Sequence, residues 1–529
     1  MLIGWVVLPR ITANDDSARR ATETTMTNTA DPSTSIVFIL YLLAVLAIGI
    51  WAYRQNNDMS DFAIGGRRLG TFVTALSAKA TDSSQWVFFG LPGAFYVSGM
   101  RNIWLIVGLT IGFYLSWKLL AGRLRDYSAK VSDWRVTAPG ESVTLPGFFA
   151  NRFRSNSVRS VTAIFIIIFY IIYLGSAFIA TGVIFQQIFG GSVVVGTIIG
   201  AVVVMVYSSL GGYLASSYTD VVQGVLMWVC LVAVSIAAIV KLGGVGSFLE
   251  TVGAQNPDLG SPFAGVELLG GEWVTTSSVP FIAMISALAW ALGYFGSPHI
   301  LARFMGMRTA ESARGGARLG VFLSITLLGC AGVVGFAAIG IFGPGLENPE
   351  DAYMVLVAEL FPSWVAGIFL AGVLSAVMST ADSQLVVASS TLTEDFYRAF
   401  INRDAPAKTL VWLSRIAVLA CTGIGVFVAL QGGTILDLVG YAWAGFGASF
   451  GPALFAALYW RKATWFGALL SIIAGGSTVI IYRMVDTIGL YELIPGFIAG
   501  MLALWLGSWL GPKQRQEVVT AQFDLLKTS

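Results

Sequence analysis

Asp82 lies with Lys79 in the stretch 75–93, ALSAKATDSSQWVFFGLPG, inside an apolar segment that begins near Thr71. An ionisable group there is costly in hydrocarbon, and the usual resolution is a protein-lined or water-filled site. Ser77, Thr81, Ser83, Ser84 and Gln85 around it are small or polar. A helix interrupted at this point turns released carbonyls and hydroxyls toward a ligand. The alternative is a helix cap in a soluble domain, since Ser, Thr and Asp also start helices. A second patch, AVMSTADSQLVVASST at 376–391, carries the hydroxyls of Ser379 and Thr380 and the carboxylate of Asp382. Hard oxygen donors suit a small hard cation, although Ser and Thr hydroxyls in a helix also bond back to their own backbone. Two such patches, each with an aspartate, favour an ion site.

The elements that position these groups must be membrane helices. Of 529 residues, 56% are hydrophobic and 11% charged, with a mean hydropathy of +0.77. A soluble domain is about 25% charged, so the chain is an all-α polytopic membrane protein. Its 60 glycines let membrane helices approach closely. Cys230, Cys330 and Cys421 sit in separate apolar runs with no metal or disulfide spacing. Apolar stretches recur from Ile36 to Leu510, and counted at the ~20-residue length that crosses hydrocarbon they make about thirteen spans. Residues 1–34 read as a disordered external tail, with Met26 as an alternative start, 35–511 as the membrane domain and 512–529 as a short cytoplasmic tail.

A second interruption is expected in span seven, SALAWALGYFGSPHILARF, which holds Trp290, Gly293, Tyr294, Gly296, Pro298 and the lone histidine, His299. Gly and Pro so close together break a membrane helix, and aromatics beside a break suit a ligand face. Trp290 and Tyr294 are four apart and share a face if the helix continues between them. Spans two and seven are five apart and cross in opposite directions, as inverted five-helix repeats require, here about 71–240 and 280–460. The simpler alternative is a pair of kinks.

The runs GGRRLGTFVTALSA, WVFFGLPGAF, ALGYFGSPHILARFM, AVMSTADSQLVVASS, TEDFYRAF and YAWAGFGASFGP resemble the sodium/solute symporter family, and within it the bacterial members that carry proline. The resemblance extends from about Ile36 to Leu510. It implies a LeuT-type core of two inverted five-helix repeats, with one helix before it and two after. It also implies sodium as co-transported ion, held by carbonyls of Ala80, Ser83 and Ala376 and hydroxyls of Ser379 and Thr380. By the same resemblance Asp82 matches an aspartate needed for sodium use. Ser84, Trp86, Tyr173, Trp290, Tyr294 and Pro298 then face a small solute such as L-proline, and Arg67 and Asp220 match coupling residues. The chain departs from the family at Gln85, where a glycine is usual, and at Lys79, where a small or neutral residue is usual. Gln85 is expected to reshape the solute end of the site. An ammonium at Lys79 could occupy a cation site; the favoured expectation is that it snorkels along the inner vestibule to water.

Such a protein transports by alternating access and needs no covalent chemistry, and no GxxxxGK[ST] phosphate loop occurs. A channel would need polar rings along a continuous pore rather than groups clustered at helix breaks. A sensor that only binds its ligand would look alike at the site, and a small organic or amino acid other than proline remains an alternative solute. An enzyme would need a base and nucleophile, whereas His299 is expected to be a packing or hydrogen-bonding residue. Partners are therefore the solute and membrane lipid, with no nucleic acid and no obligatory protein. Most of the 31 Lys and Arg residues fall in alternate loops, which places the N-terminus outside and the C-terminus in the cytoplasm. Cysteines introduced in the loop 126–159 should therefore resist an impermeant external thiol reagent, and cysteines in 243–278 should react. The reverse labelling would invert the topology.

Overall fold

The computed structural model describes residues 32–53, 63–130, 142–513 and 522–524. The readings of residues 1–31, of Met26 as a start and of most of the tail 512–529 lie outside these. Pro32–Thr34, assigned to the tail, instead belong to the first helix among the described residues, Pro32–Tyr53. Proline at a first helical position forfeits only a donor that the helix end leaves unpaired, and Thr34 Oγ1 donates to the Ser363 carbonyl at 2.8 Å.

The expected apolar stretches are helical. Among the described residues eight helices are long and apolar enough to cross a bilayer, and the bent pair Phe281–Phe295 with Pro298–Met305 makes a ninth. Pro32–Ile48 and Val193–Ser209 are shorter apolar helices. Expected spans five and six lie in the helical stretch Val193–Lys241, as the shorter apolar helix Val193–Ser209 and the membrane-length helix Ser216–Lys241.

Both expected interruptions are present. Thr71–Asp82 stops at Ser83, whose ψ of 66° leaves the helix; a single tight turn, Gln85–Val87, follows, and helix resumes at Gly90–Ser98. In span seven, helix Phe281–Ala289 tightens into the 3-10 turns Trp290–Phe295 and restarts at Pro298–Met305, bent by 43°. The restart follows from sequence, because Pro298 occupies a first helical position where its fixed φ is suited. The backbone released at the break is paired elsewhere, as it must be at membrane depth. Trp443 Nε1 donates to the Trp290 carbonyl at 2.8 Å. Gly296 makes the approach possible, since a Cβ there would stand 1.9 Å from the Phe446 carbonyl oxygen of helix Ile435–Tyr459.

One end of the bundle carries elements that the sequence reading left unassigned. Helix Val245–Gln255 is followed by a hairpin of strands Ala264–Leu269 and Glu272–Ser278. Gly270 and Gly271 turn it with φ of 60° and 85°, the paired left-handed geometry that two-residue hairpin loops favour. Trp273 Nε1 donates to the Tyr96 carbonyl at 2.8 Å, so the hairpin lies over the second half of the first broken helix. Nearby, in the short turn Pro349–Asp351, the two carboxylate oxygens of Glu350 accept the N–H groups of Ile435 and Leu436 at 3.1 Å each. A carboxylate at a helix N-terminus meets the positive end of the helix dipole. Burial, and the charge of Glu350 beside it, push the Asp351 carboxyl up to about 6.

At the opposite end Arg67, with φ of 57°, donates to the carbonyls of Ser128 at 3.0 Å, Ser142 at 3.2 Å and Met305 at 2.5 Å. It joins the loop before the first broken helix to the end of the second. Gln522 Nε2 donates to the Asn151 carbonyl at 3.2 Å, and the Phe523 ring lies 5.2 Å from the Arg152 guanidinium, so this part of the C-terminal segment packs at the same end.

Replacing Gly296 by Ala should cost about 1–3 kcal/mol through overpacking against a carbonyl that cannot rotate aside. Gly329, around which nothing lies within 4 Å, should accept Ala without loss. Thermal melting of the two purified variants in detergent checks the pair, and equal Tm values would refute the packing account.

Candidate functional site

The two breaks meet at Asp82. The helical ladder ends with Ser83 N–H donating to the Lys79 carbonyl at 2.8 Å, and the Asp82 carbonyl then accepts Ser84 N–H at 3.0 Å and Trp86 Nε1 at 3.1 Å. Released end carbonyls of a helix are thus satisfied locally. The side chain faces the other break: Tyr294 Oη donates to Asp82 Oδ2 at 2.8 Å. Lys79 Nζ reaches the same oxygen at 2.6 Å, both side chains being 1% exposed. The snorkelling expected of Lys79 is therefore overturned. A carboxylate one helical turn away offers the ammonium a direct partner, and the Phe113 ring lies 5.3 Å from Nζ on another side.

A second polar cell lies one turn along. Asp220 Oδ2 accepts from Ser77 Oγ at 2.6 Å, Thr81 Oγ1 at 3.2 Å and Arg303 Nη2 at 2.8 Å, while its Oδ1 accepts from Ser379 Oγ. Arg303 Nη2 also donates to Ser216 Oγ at 2.8 Å and Ser383 Oγ at 2.5 Å, and the guanidinium stands 4.4 Å from the centre of the Tyr213 ring. Thr380 Oγ1 donates to the Thr81 carbonyl at 2.8 Å, fastening helix Ser363–Ser390 to the end of Thr71–Asp82. The carboxylate facing Ser379 is thus Asp220, whereas Asp82 faces Lys79 and Tyr294. Arg303, not singled out in the sequence, is fully buried. Its spacing five residues after Pro298, on a helix that restarts at the break, was the available signal. Ser216 and Ser383 were missed with it, whereas Ser77 was among the polar residues singled out around Asp82.

Ser84 Oγ and Tyr173 Oη are 3.1 Å apart, and Gln85 Nε2 donates to Ser176 Oγ at 2.7 Å, leaving Gln85 Oε1 buried without a partner. The Trp86 and Trp290 rings are 6.3 Å apart, and Trp290 stacks on Tyr491 at 5.4 Å. In a 3-10 helix residues four apart are not on one face; accordingly Tyr294 turns from Trp290 toward Asp82, Phe113 and Trp443. Ser83 Oγ is buried and unpartnered, while Ala80 and Ala376 lie on the two helices that Thr380 joins. Asp382, on the same helix as Ser379, has Ser208 and Ser216 beside it and Oδ1 without a partner. Pro298 lines a small cleft with Ala63, Thr144, Met305 and Ser390, apart from the aromatic walls. His299 Nδ1 lies 3.3 Å from Tyr170 Oη among aromatic rings, a packing and hydrogen-bonding position as expected. Arg67 is at the end of the bundle, on the carbonyls of Ser128, Ser142 and Met305.

Removing one member of a buried ion pair leaves an uncompensated charge, which costs about 3–5 kcal/mol. Arg303→Gln should therefore lower the Tm and yield sharply, and adding Asp220→Asn should recover part of both. A double variant no better than Arg303→Gln alone would contradict the pairing.

Residues 62–475 match the sodium:solute symporter family. The osmoregulated proline transporter OpuE of Bacillus subtilis is 40% identical over 473 residues, covering 88% of this chain and 92% of its own length. The sodium/proline symporter of Escherichia coli is 39% identical over 486 residues, covering 90% and 93%. Among solved structures, a substrate-bound outward-open sodium-coupled sialic acid symporter superposes with a TM-score of 0.74 at 18% identity, over 92% of this chain and 99% of that one. A closed nucleobase-cation-symport-1 family transporter superposes at 0.57 and 13%, over 89% and 99%. These structures carry the fold, which is the LeuT type of inverted repeats with two interrupted helices. The chain is a multi-pass membrane transporter of a small molecule, not an enzyme, and with its matched length and both helix breaks in place it belongs to the sodium:solute symporter family.

Proposed function

We propose that this protein carries L-proline into the cell together with sodium by alternating access, with its N-terminus outside and its C-terminus in the cytoplasm. The observation that carries this reading is the meeting of the two helix breaks at Asp82 and Tyr294, beside walls of Trp86, Trp290 and Tyr173. A zwitterion with a compact apolar ring suits aromatic walls plus released backbone and a few placed polar groups. The relatives named above as proline transporters support the solute. Gln85 Oε1 offers an unpaired acceptor in this region, suited to the secondary ammonium of proline. The same acceptor also favours a second reading, another small amino or organic acid with an N–H donor. Membrane lipid is the only other partner the reading requires.

Sodium in this reading binds between the ends of Thr71–Asp82 and Ser363–Ser390, on the carbonyls of Ala80, Ser83 and Ala376 and the hydroxyls of Ser379 and Thr380. Oxygen donors match a hard cation. Ion and solute that close the same gap raise each other's affinity by an equal factor. Each net positive charge carried inward gains about 2.3 kcal/mol per 100 mV of membrane potential.

The test is uptake of labelled proline into proteoliposomes with and without an inward sodium gradient, with a panel of amino and organic acids as competitors. Sodium-stimulated proline uptake is expected, and uptake indifferent to sodium, or proline outcompeted by another solute, would displace the reading. In Ser379→Ala with Thr380→Ala, the sodium concentration for half-maximal uptake should rise about tenfold or more, since two hard oxygen donors are lost. An unchanged sodium dependence would move the ion elsewhere.

A further inference from the structure

Three buried carboxylates surround the breaks: Asp82, Asp220 and Asp382, each at most 1% exposed. Two buried cations from the chain answer them. Arg303 pairs with Asp220 at 2.8 Å, and Lys79 pairs with Asp82 at 2.6 Å. Asp382 keeps an oxygen without a partner among the described residues. Of the three, Asp382 has no ion pair of its own among the described residues, and it lies on the helix that carries Ser379 and Thr380. Charges taken out of water need partners with good geometry, or their burial is prohibitive.

The Lys79 ammonium is held on several sides. It is salt-bridged to Asp82 Oδ2, and it lies 5.3 Å from the Phe113 ring, which meets the Tyr294 ring edge-on at 5.4 Å. Tyr294 in turn donates to the oxygen that Lys79 binds. This is a closed cell in which the carboxylate already has both a cation and a hydroxyl donor, and in which an added metal ion would have to displace Lys79.

We infer that Lys79 is a built-in counter-cation for Asp82, so that Asp82 takes no sodium and the protein binds a single sodium ion. The inference rests on the sodium coupling proposed above and deepens it. Lys79 is a positioning residue: it holds Asp82, and through it the Tyr294 hydroxyl, in the geometry that joins the two breaks, without a second mobile cation. Its removal opens a carboxylate-lined vacancy of the kind an alkali cation fills.

The experiment measures binding of radiolabelled sodium to the purified full-length protein without any solute, so that it stands apart from the identity of the transported compound. Wild type should bind one sodium per chain. Lys79→Met should bind two, a doubling, with sodium dependence of tryptophan fluorescence turning from hyperbolic to cooperative. Lys79→Arg, which keeps the charge, and Lys79→Met with Asp82→Asn, which removes both, should each return to one. Two ions on wild type, or one on a folded Lys79→Met, would overturn the inference. If Lys79→Met alone does not fold, the double variant decides: one sodium bound upholds Asp82 as dispensable to the ion, and loss of sodium binding refutes it. A wild type that binds one sodium yet shows no sodium-driven proline uptake would count against the proposed solute while upholding the ion count.

Discussion

The hydrogen bond from Tyr294 to Asp82 is the point on which the rest depends, because it closes the gap between two helices that have each given up part of their backbone ladder inside the membrane. A released carbonyl in hydrocarbon costs several kcal/mol unless something else pairs it. The chain answers with side chains: Trp86, four residues on, caps the Asp82 carbonyl, while Trp443 on the Trp290 carbonyl and Thr380 on the Thr81 carbonyl come from distant helices. The last two are also contacts between helices. The interruptions therefore organise the bundle around them.

How far this was visible in the sequence differs from element to element. Both breaks could be read directly, since polar residues at 77–85 and the Gly and Pro residues at 293–298 stand out in apolar runs. The aromatic set was legible as composition, but its orientation was not, because a tightened 3-10 turn sends Trp290 and Tyr294 to different neighbours. Which carboxylate meets which cation depended on packing. Asp220 and Arg303 are 83 residues apart, and nothing local marks them as a pair. Lys79 and Asp82 are the opposite case: their spacing of three allows the contact, but a long amine can reach water as readily as a carboxylate one turn away, and only packing decides between them. The terminal hairpin went unread because its strands are short and its Gly-Gly turn stands in a glycine-rich chain.

Charge arrangement and chain connectivity reinforce one another. Helix Val193–Lys241 supplies Asp220, Pro298–Met305 supplies Arg303 and Ser363–Ser390 supplies Ser379 and Ser383, so one guanidinium and one carboxylate tie together three helices and, through Ser77 and Thr81, a fourth. Such a network is strong when fully satisfied and unforgiving when one member is lost. Proline uptake as proposed here would run through a site in which each of the two ion pairs has its cation on a broken helix.

The carboxylate of Glu350 on the N–H groups of Ile435 and Leu436 has a genetic consequence. Its partners are main-chain donors that every residue except proline supplies, so sequence drift at positions 435 and 436 leaves the contact intact. Apart from proline at those two positions, the side chain that the contact requires is that of Glu350 alone. Single-nucleotide change there is the simplest route by which descendants of this chain could loosen the hairpin end of the bundle while preserving every helix.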